Sequence, residues 1–288
     1  MSTGPLRVVL ICHHDAPLHH DGVARWIASW ATLSGIVVIK EPAVVLRRRL
    51  RREWRRVGSL RLLDVFAFRL FYRLSIASRD QAWTGDQLRQ LRNRYSDLPA
   101  GTRTIEVPSP ASKESQAFIE AANPDIVIAL CKSILPERVF AIPRFGTFVF
   151  HPGICPEYRN AHGCFWALAS RDLDRVGLTL LRIDAGVDTG PVYGYFTYKF
   201  DERSESHIRI QQRMLFENLD AIRDRLLEAA SGEASAIDTT GRKSAVWGQP
   251  WLTAYARWKS AAKKAEQDRF IHATANASAD AAVPRRRS

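Results

Sequence analysis

The chain is poor in cysteine: Cys12, Cys131, Cys155 and Cys164 are the only four, and their spacing forms no metal-ligand pattern. That count excludes a disulfide scaffold and leaves a reduced, cytoplasmic setting as the expectation. No apolar run approaches the roughly 18 residues that cross a bilayer. Residues 1–5 lack the charged-then-apolar order of a signal peptide, so no secretory leader is expected. With only 16 Gly and 14 Pro, the sequence is neither collagen-like nor low-complexity. Acidic residues are also scarce, 30 against 42 Lys and Arg.

What is present is a folded chain's composition: 46% hydrophobic and 25% charged over 288 residues, which fits one large domain or one domain with an appendage. The positive excess is uneven. Residues 45–75 hold ten arginines against Glu53 and Asp64, and Arg285, Arg286 and Arg287 close the chain. Such a stretch attracts phosphate groups, an acidic surface or nucleic acid, or is a solvated Arg-rich helix. Its apolar residues at helical spacing favour an intramolecular lid or a contact with another subunit, as in a homodimer, with the apolar face buried.

Hydrophobic periodicity predicts an α/β fold with a mostly parallel sheet. Residues 7–12 (RVVLIC) read as a buried strand, 22–32 as a helix and 36–39 as a second strand. A helical insertion over about 44–95, broken at Gly58-Ser59, interrupts the alternation. It resumes with a strand at 104–107, a helix at 112–122, a strand at 125–130, a short helix after Pro136 and a strand at 147–150. Residues 165–170 read as helix, 176–183 and 192–200 as strands. Ser204 is the expected N-cap of one long amphipathic stretch, 208–230. Periodicity fades beyond 231, and the last twenty residues read as a loose tail. The expected division is a catalytic unit over 1–230 and a partly disordered extension over 231–288.

Polar residues that carry chemistry concentrate in two loops. His151-Pro152-Gly153-Ile154-Cys155-Pro156-Glu157-Tyr158-Arg159-Asn160-Ala161-His162-Gly163 follows a buried strand, and the carboxyl ends of strands line the crevice of an open α/β sheet. A lone histidine there is more often structural. Asp184-Ala185-Gly186-Val187-Asp188-Thr189-Gly190-Pro191 lies between two later strands. Its aspartates make a tight turn, or set one carboxylate against His151 to orient the ring for general acid/base work.

Together the two loops resemble the folate-dependent formyltransferases, of the glycinamide ribonucleotide and methionyl-tRNA formyltransferase kind. The resemblance runs over roughly residues 7–230, omitting the insertion. It implies a Rossmann-like core, 10-formyltetrahydrofolate as formyl donor and a small-molecule amine as acceptor. It also implies His151 and Asp188 as the catalytic pair. Leu130, Cys131, Ile134, Leu135, Asp184 and Val187 would form the folate slot. The family's third catalytic residue, an asparagine two positions before the histidine, is replaced by Val149, which offers no donor to a developing oxyanion. Three outcomes stay open there: a substitute donor such as His162 or Lys132, a slower or different reaction such as hydrolysis of the formyl donor, or ligand binding without turnover.

The loop after the first strand reads His13-His14-Asp15-Ala16-Pro17-Leu18-His19-His20. Its histidines invite a metal, but no anchoring Cys or Glu follows nearby, so no metal is expected. By the same resemblance, His13, His14, Asp15 and His162 lie beside the acceptor. The 58 residues after Ala230 lack the strand periodicity of the tRNA enzyme's additional β-barrel domain, which weakens a tRNA acceptor.

Overall fold

Two segments with no polar interruption set the centre of the sheet. In the computed structural model, which describes residues 4–281, these are β1 (Arg7–His13) and β4 (Ile126–Leu130), paired in parallel. Both faces of β4 are buried, which explains a continuous apolar run where a one-sided strand would alternate. β2 (Thr32–Ile39) begins four residues before the expected strand, because Thr32, Leu33 and Gly35 pair with Arg7, Val8 and Val9. The predicted helix between them is correspondingly short: a π-helical turn, Leu18–Val23, runs into α1 (Ala24–Ala28).

The insertion is helical, as expected, with one more break than expected. α2 (Ala43–Ser75) bends at Gly58, whose φ of 77° lies outside the helical region, and α3 (Ala77–Arg94) starts after a second break at Ile76. β3 (Thr104–Val107), α4 (Lys113–Ala122), α5 (Glu137–Phe140) and β5 (Thr147–His151) follow the predicted order. Then come β6 (Arg159–Asn160), α6 (Gly163–Ala169), β7 (Leu178–Arg182) and β8 (Val192–Phe196). The main sheet has the order β3-β2-β1-β4-β5-β7-β8; β3 through β5 run parallel, while β7 and β8 are antiparallel.

The expected helix 208–230 is two helices, α7 (His207–Phe216) and α8 (Leu219–Ser231). Asn218 separates them, its amide donating to the Thr197 and Met214 carbonyls at 3.1 and 2.9 Å. The N-cap is Ser206, whose hydroxyl accepts the Arg209 N–H at 3.0 Å; Ser204 instead donates to Asp201 one turn earlier.

Described residues beyond 231, as far as Trp258 and Lys259, fold back over the core. Ile237 N–H bonds the Val192 carbonyl, β9 (Val246–Trp247) pairs with β6, and α9 (Leu252–Ala281) packs on α2 and α6. Trp258 of α9 is fully buried and donates its indole N–H to Glu202 at 2.8 Å. On the same helix, the Lys259 ammonium donates to the Glu205 carbonyl at 2.6 Å. Helical structure therefore extends into the stretch read as a loose tail, as far as Ala281; the rest of that tail lies outside the described residues. No described helix is long and apolar enough to cross a membrane.

Candidate active site

Strand parity decides what β5 presents. Phe148 and Phe150 enter the core layer containing Trp26 and Tyr193, so Thr147, Val149 and His151 share the opposite face. His151 ends the strand with only 3% of its surface exposed. Its Nε2 lies 2.7 Å from the Tyr158 carbonyl. A carbonyl oxygen only accepts, so Nε2 carries the hydrogen. Nδ1 then faces Oδ2 of Asp188 at 3.4 Å, a wider separation than a closed hydrogen bond.

The two aspartates of the second loop divide the two expected roles. Asp184 builds the turn: its Oδ1 accepts the Gly186 N–H at 2.9 Å and the Thr189 hydroxyl at 2.7 Å. Gly190 is required because a Cβ there would stand 1.8 Å from the Arg182 carbonyl oxygen. The turn leaves Asp188 in the left-handed region, φ 51°, with its carboxylate on His151. Oδ2 also accepts the Asn160 N–H at 2.7 Å.

The His151 loop is pinned from both sides. Thr179 donates to the Gly153 carbonyl at 2.6 Å and accepts the Cys155 N–H at 3.0 Å. Gly153 and Gly163 pack backbone to backbone, so a Cβ on either would come within 3 Å of the other's Cα. Cys155 is not a nucleophile, since burial, and then the charge of Asp188, push its thiol up to about 12.

Over this loop lies a strap from beyond residue 231, which residue-type reasoning does not reveal. Arg242 makes a paired bond to Glu157 at 2.9 and 2.7 Å and a third to the Tyr195 hydroxyl. The Trp247 indole stacks on Tyr158 and Trp166, with centroids 5.6 and 5.0 Å apart, and donates to the Glu157 carbonyl at 2.9 Å. Asn160, whose backbone holds Asp188, donates its side-chain amide to the Trp247 carbonyl. Both ring partners of His151, the Tyr158 carbonyl and Asp188, thus depend on a segment that the strap clamps.

The remaining expected site residues scatter around this pair. Ile134 (69%) and Val187 (38%) are exposed apolar side chains at the strand-end loops, suited to the rim of a slot for a flat ring. Leu130 packs with Ile128 in the core layer on one side of the sheet, and Leu135 is buried in the layer on the other side, that of Val149; of these two, main-chain groups are what the strand-end loop can offer a slot. Cys131 is half-buried against that same layer. His13 accepts the Lys132 N–H at 3.0 Å, while His14 and Asp15 are exposed in the turn after β1. Among the described residues no group of three His, Cys, Asp or Glu side chains could hold a metal.

His162 is half-buried at the start of α6, its ring 6.2 Å from that of buried His207. Burial, and then Lys132 and Arg69, push its pKa down to about 4; burial does the same to His19. Between pH 6.5 and 4 the unfolded chain protonates both histidines and the folded chain does not. Stability therefore falls as pH drops through that window, by about 2 kcal/mol per histidine after allowing for partial exposure. Urea titrations at pH 7, 5.5 and 4 should show the loss, and His162→Gln should make it smaller while His19 keeps the rest; an unchanged slope in the variant would refute neutral His162.

A family model for formyl transferases matches residues 77–226, just over half of the chain. Methionyl-tRNA formyltransferase of Dehalococcoides mccartyi (strain CBDB1) is 38% identical over 97 residues, covering 33% of this chain and 31% of its own. The Pseudomonas syringae pv. tomato (strain ATCC BAA-871 / DC3000) protein of the same name is 32% identical over 117 residues, covering 40% and 35%. Each match thus spans about a third of the curated relative's length. Among solved structures, phosphoribosylglycinamide formyltransferase from Anaplasma phagocytophilum superposes with a TM-score of 0.51 at 14% identity, over 85% of this chain and all of the other, a likeness of fold. With its mostly parallel seven-stranded sheet and the match over residues 77–226, the chain belongs to the formyl transferase family.

Proposed function

We propose that this protein transfers a formyl group from 10-formyltetrahydrofolate to the amine of a small-molecule acceptor. The observation that carries the reading is the His151–Asp188 pair at the carboxyl end of β5. A binding pocket has no need of a paired acid and base, and such pairs mark chemistry. The donor's ring system fits against the apolar rim at Ile134 and Val187. Main-chain groups of the loops after β4 and around Asp184 supply its hydrogen bonds. The unprotonated amine attacks the formyl carbon, the bond to the folate nitrogen breaks, and that nitrogen leaves with a proton. Nδ1 of His151 is the ring atom able to exchange that proton, because Nε2 is committed to Tyr158. Hydrogen bonds of this kind are often long before substrate binds.

Formylated folate mixed with a panel of amines, followed by mass spectrometry for an adduct 28 Da heavier, tests the reading. Release of tetrahydrofolate that requires amine supports it; no release with any amine counts against it. Hydrolysis to free formate is the second reading, because water reaches a pair this deeply buried more easily than a bulky amine.

Val149 sits on the His151 face, half-buried against two apolar clusters, one holding Val127 and Ala129 and the other Cys155 and Leu181. Val149→Asn places an amide where a growing oxyanion needs a donor, and loss of one such donor costs about 10²–10³ in rate elsewhere. We expect turnover to rise at least about tenfold; a variant no faster than the parent would mean that another group already fills that role.

A further inference from the structure

We infer that the outer face of α2 docks on an anionic lipid surface. Leu60, Leu63, Phe66, Leu70 and Leu74 recur at helical spacing after the Gly58 bend, and all stand in solvent, Leu60 at 86% and Leu74 at 75%. The opposite face is satisfied within the chain: Val65 and Phe68 are buried, and Phe68 packs on Phe165 and Tyr255 at 5.9 and 5.3 Å. The outer stripe is therefore not core. It runs about 25 Å, at 1.5 Å per residue over 59–75, with a contiguous apolar area on the order of several hundred Å², a size that marks an interaction site.

Charge identifies the occupant. Arg73 borders the stripe, and Arg69 reaches from the Phe66 ring to Gln249. Arg47, Arg48, Arg51, Arg52 and Arg55 continue into solvent beyond the bend, while Arg61 turns inward onto Trp251 and Asp64. Both carboxylates of α2 are turned inward. Glu53 lies on Arg56 and the Gln249 N–H, and Asp64 takes the Thr253 N–H and hydroxyl. Their side chains are only 14% and 15% exposed, so the outer face has cations and leucines but no anion. A second copy of the chain would bury the leucines while bringing two sets of arginines together. Nucleic acid would meet the arginines and leave the leucines in water. A bilayer interface rich in acidic lipid satisfies both: the apolar stripe enters the headgroup–acyl boundary and the arginines meet lipid phosphates.

The full chain should co-sediment with vesicles of phosphatidylcholine and phosphatidylglycerol and not with phosphatidylcholine alone, more weakly as salt rises. Leu63→Ser with Leu70→Ser should lower the partition constant about tenfold per leucine, and Arg51→Gln with Arg55→Gln about fivefold per charge. All four positions are exposed, so circular dichroism and melting should stay as in the parent. Binding to acidic vesicles that ignores the leucine substitutions would overturn the inference, reducing it to charge attraction. So would absence of vesicle binding, or a dimer in sedimentation velocity that the same leucine substitutions dissociate without any affinity for vesicles. The inference does not depend on the formyl acceptor, so vesicle binding and turnover succeed or fail separately.

Discussion

His151→Ala should lower amine-dependent release of tetrahydrofolate by about 10³–10⁴-fold, the upper part of the range for a positioned acid/base group. The size follows from how the ring is held. With Nε2 committed to a main-chain carbonyl, tautomer exchange is suppressed and Nδ1 alone is available for the proton. Asp188 stands 3.4 Å away, close enough to orient the ring and far enough to let a substrate atom share Nδ1. His151→Gln keeps a polar side chain of similar reach but cannot cycle a proton, so it should be nearly as slow. KM for the folate donor should change little in both variants if, as proposed, the donor is held at Ile134, Val187 and the neighbouring backbone. A loss confined to KM, with kcat preserved, would remove His151 from the chemistry and leave it a structural residue.

The parts of this fold that were legible in the sequence share a physical cause. β4 throughout, and β1 between Arg7 and His13, are unbroken apolar runs because neighbours bury both of their faces. That His151 and Asp188 meet was legible only through the resemblance of the two loops to a family, since a lone imidazole or a carboxylate in a turn has ordinary structural uses. The insertion was legible by its helical spacing, although the break at Ile76 was not, since nothing in that residue type forbids helix.

What stayed hidden depends on contacts made at long range or by main chain. Asn218 divides α7 from α8 by bonding the Thr197 carbonyl 21 residues away, a partner that no local window contains. Tyr158 and Asn160 act on the dyad through a carbonyl and an N–H, which every residue but proline provides, so their identities announce nothing. Residues 237–251 show no periodicity because they form neither a helix nor a long strand. Their order comes from pairing with β6 and from stacking on aromatic rings.

That strap lies outside the span matched to the family, yet Trp247→Ala should cut kcat about a hundredfold. The indole separates Tyr158 from Trp166 and bonds the Glu157 carbonyl, so its removal frees the whole run from Glu157 to Asn160. Both groups that fix the His151 ring move with that run, and a misplacement of about 1 Å at such a centre costs on the order of 10² in rate. Removing a half-buried indole should also cost about 2–3 kcal/mol of stability, so the kinetics belong at a temperature where the urea curve shows the variant folded. Trp247→Phe keeps a ring for stacking and loses only the indole N–H, and should recover most of the rate. A purely structural tryptophan would lower the melting temperature and leave kcat and its pH profile in the folded fraction unchanged. A positioning residue shifts that profile, because Asp188 no longer meets Nδ1 at a fixed distance.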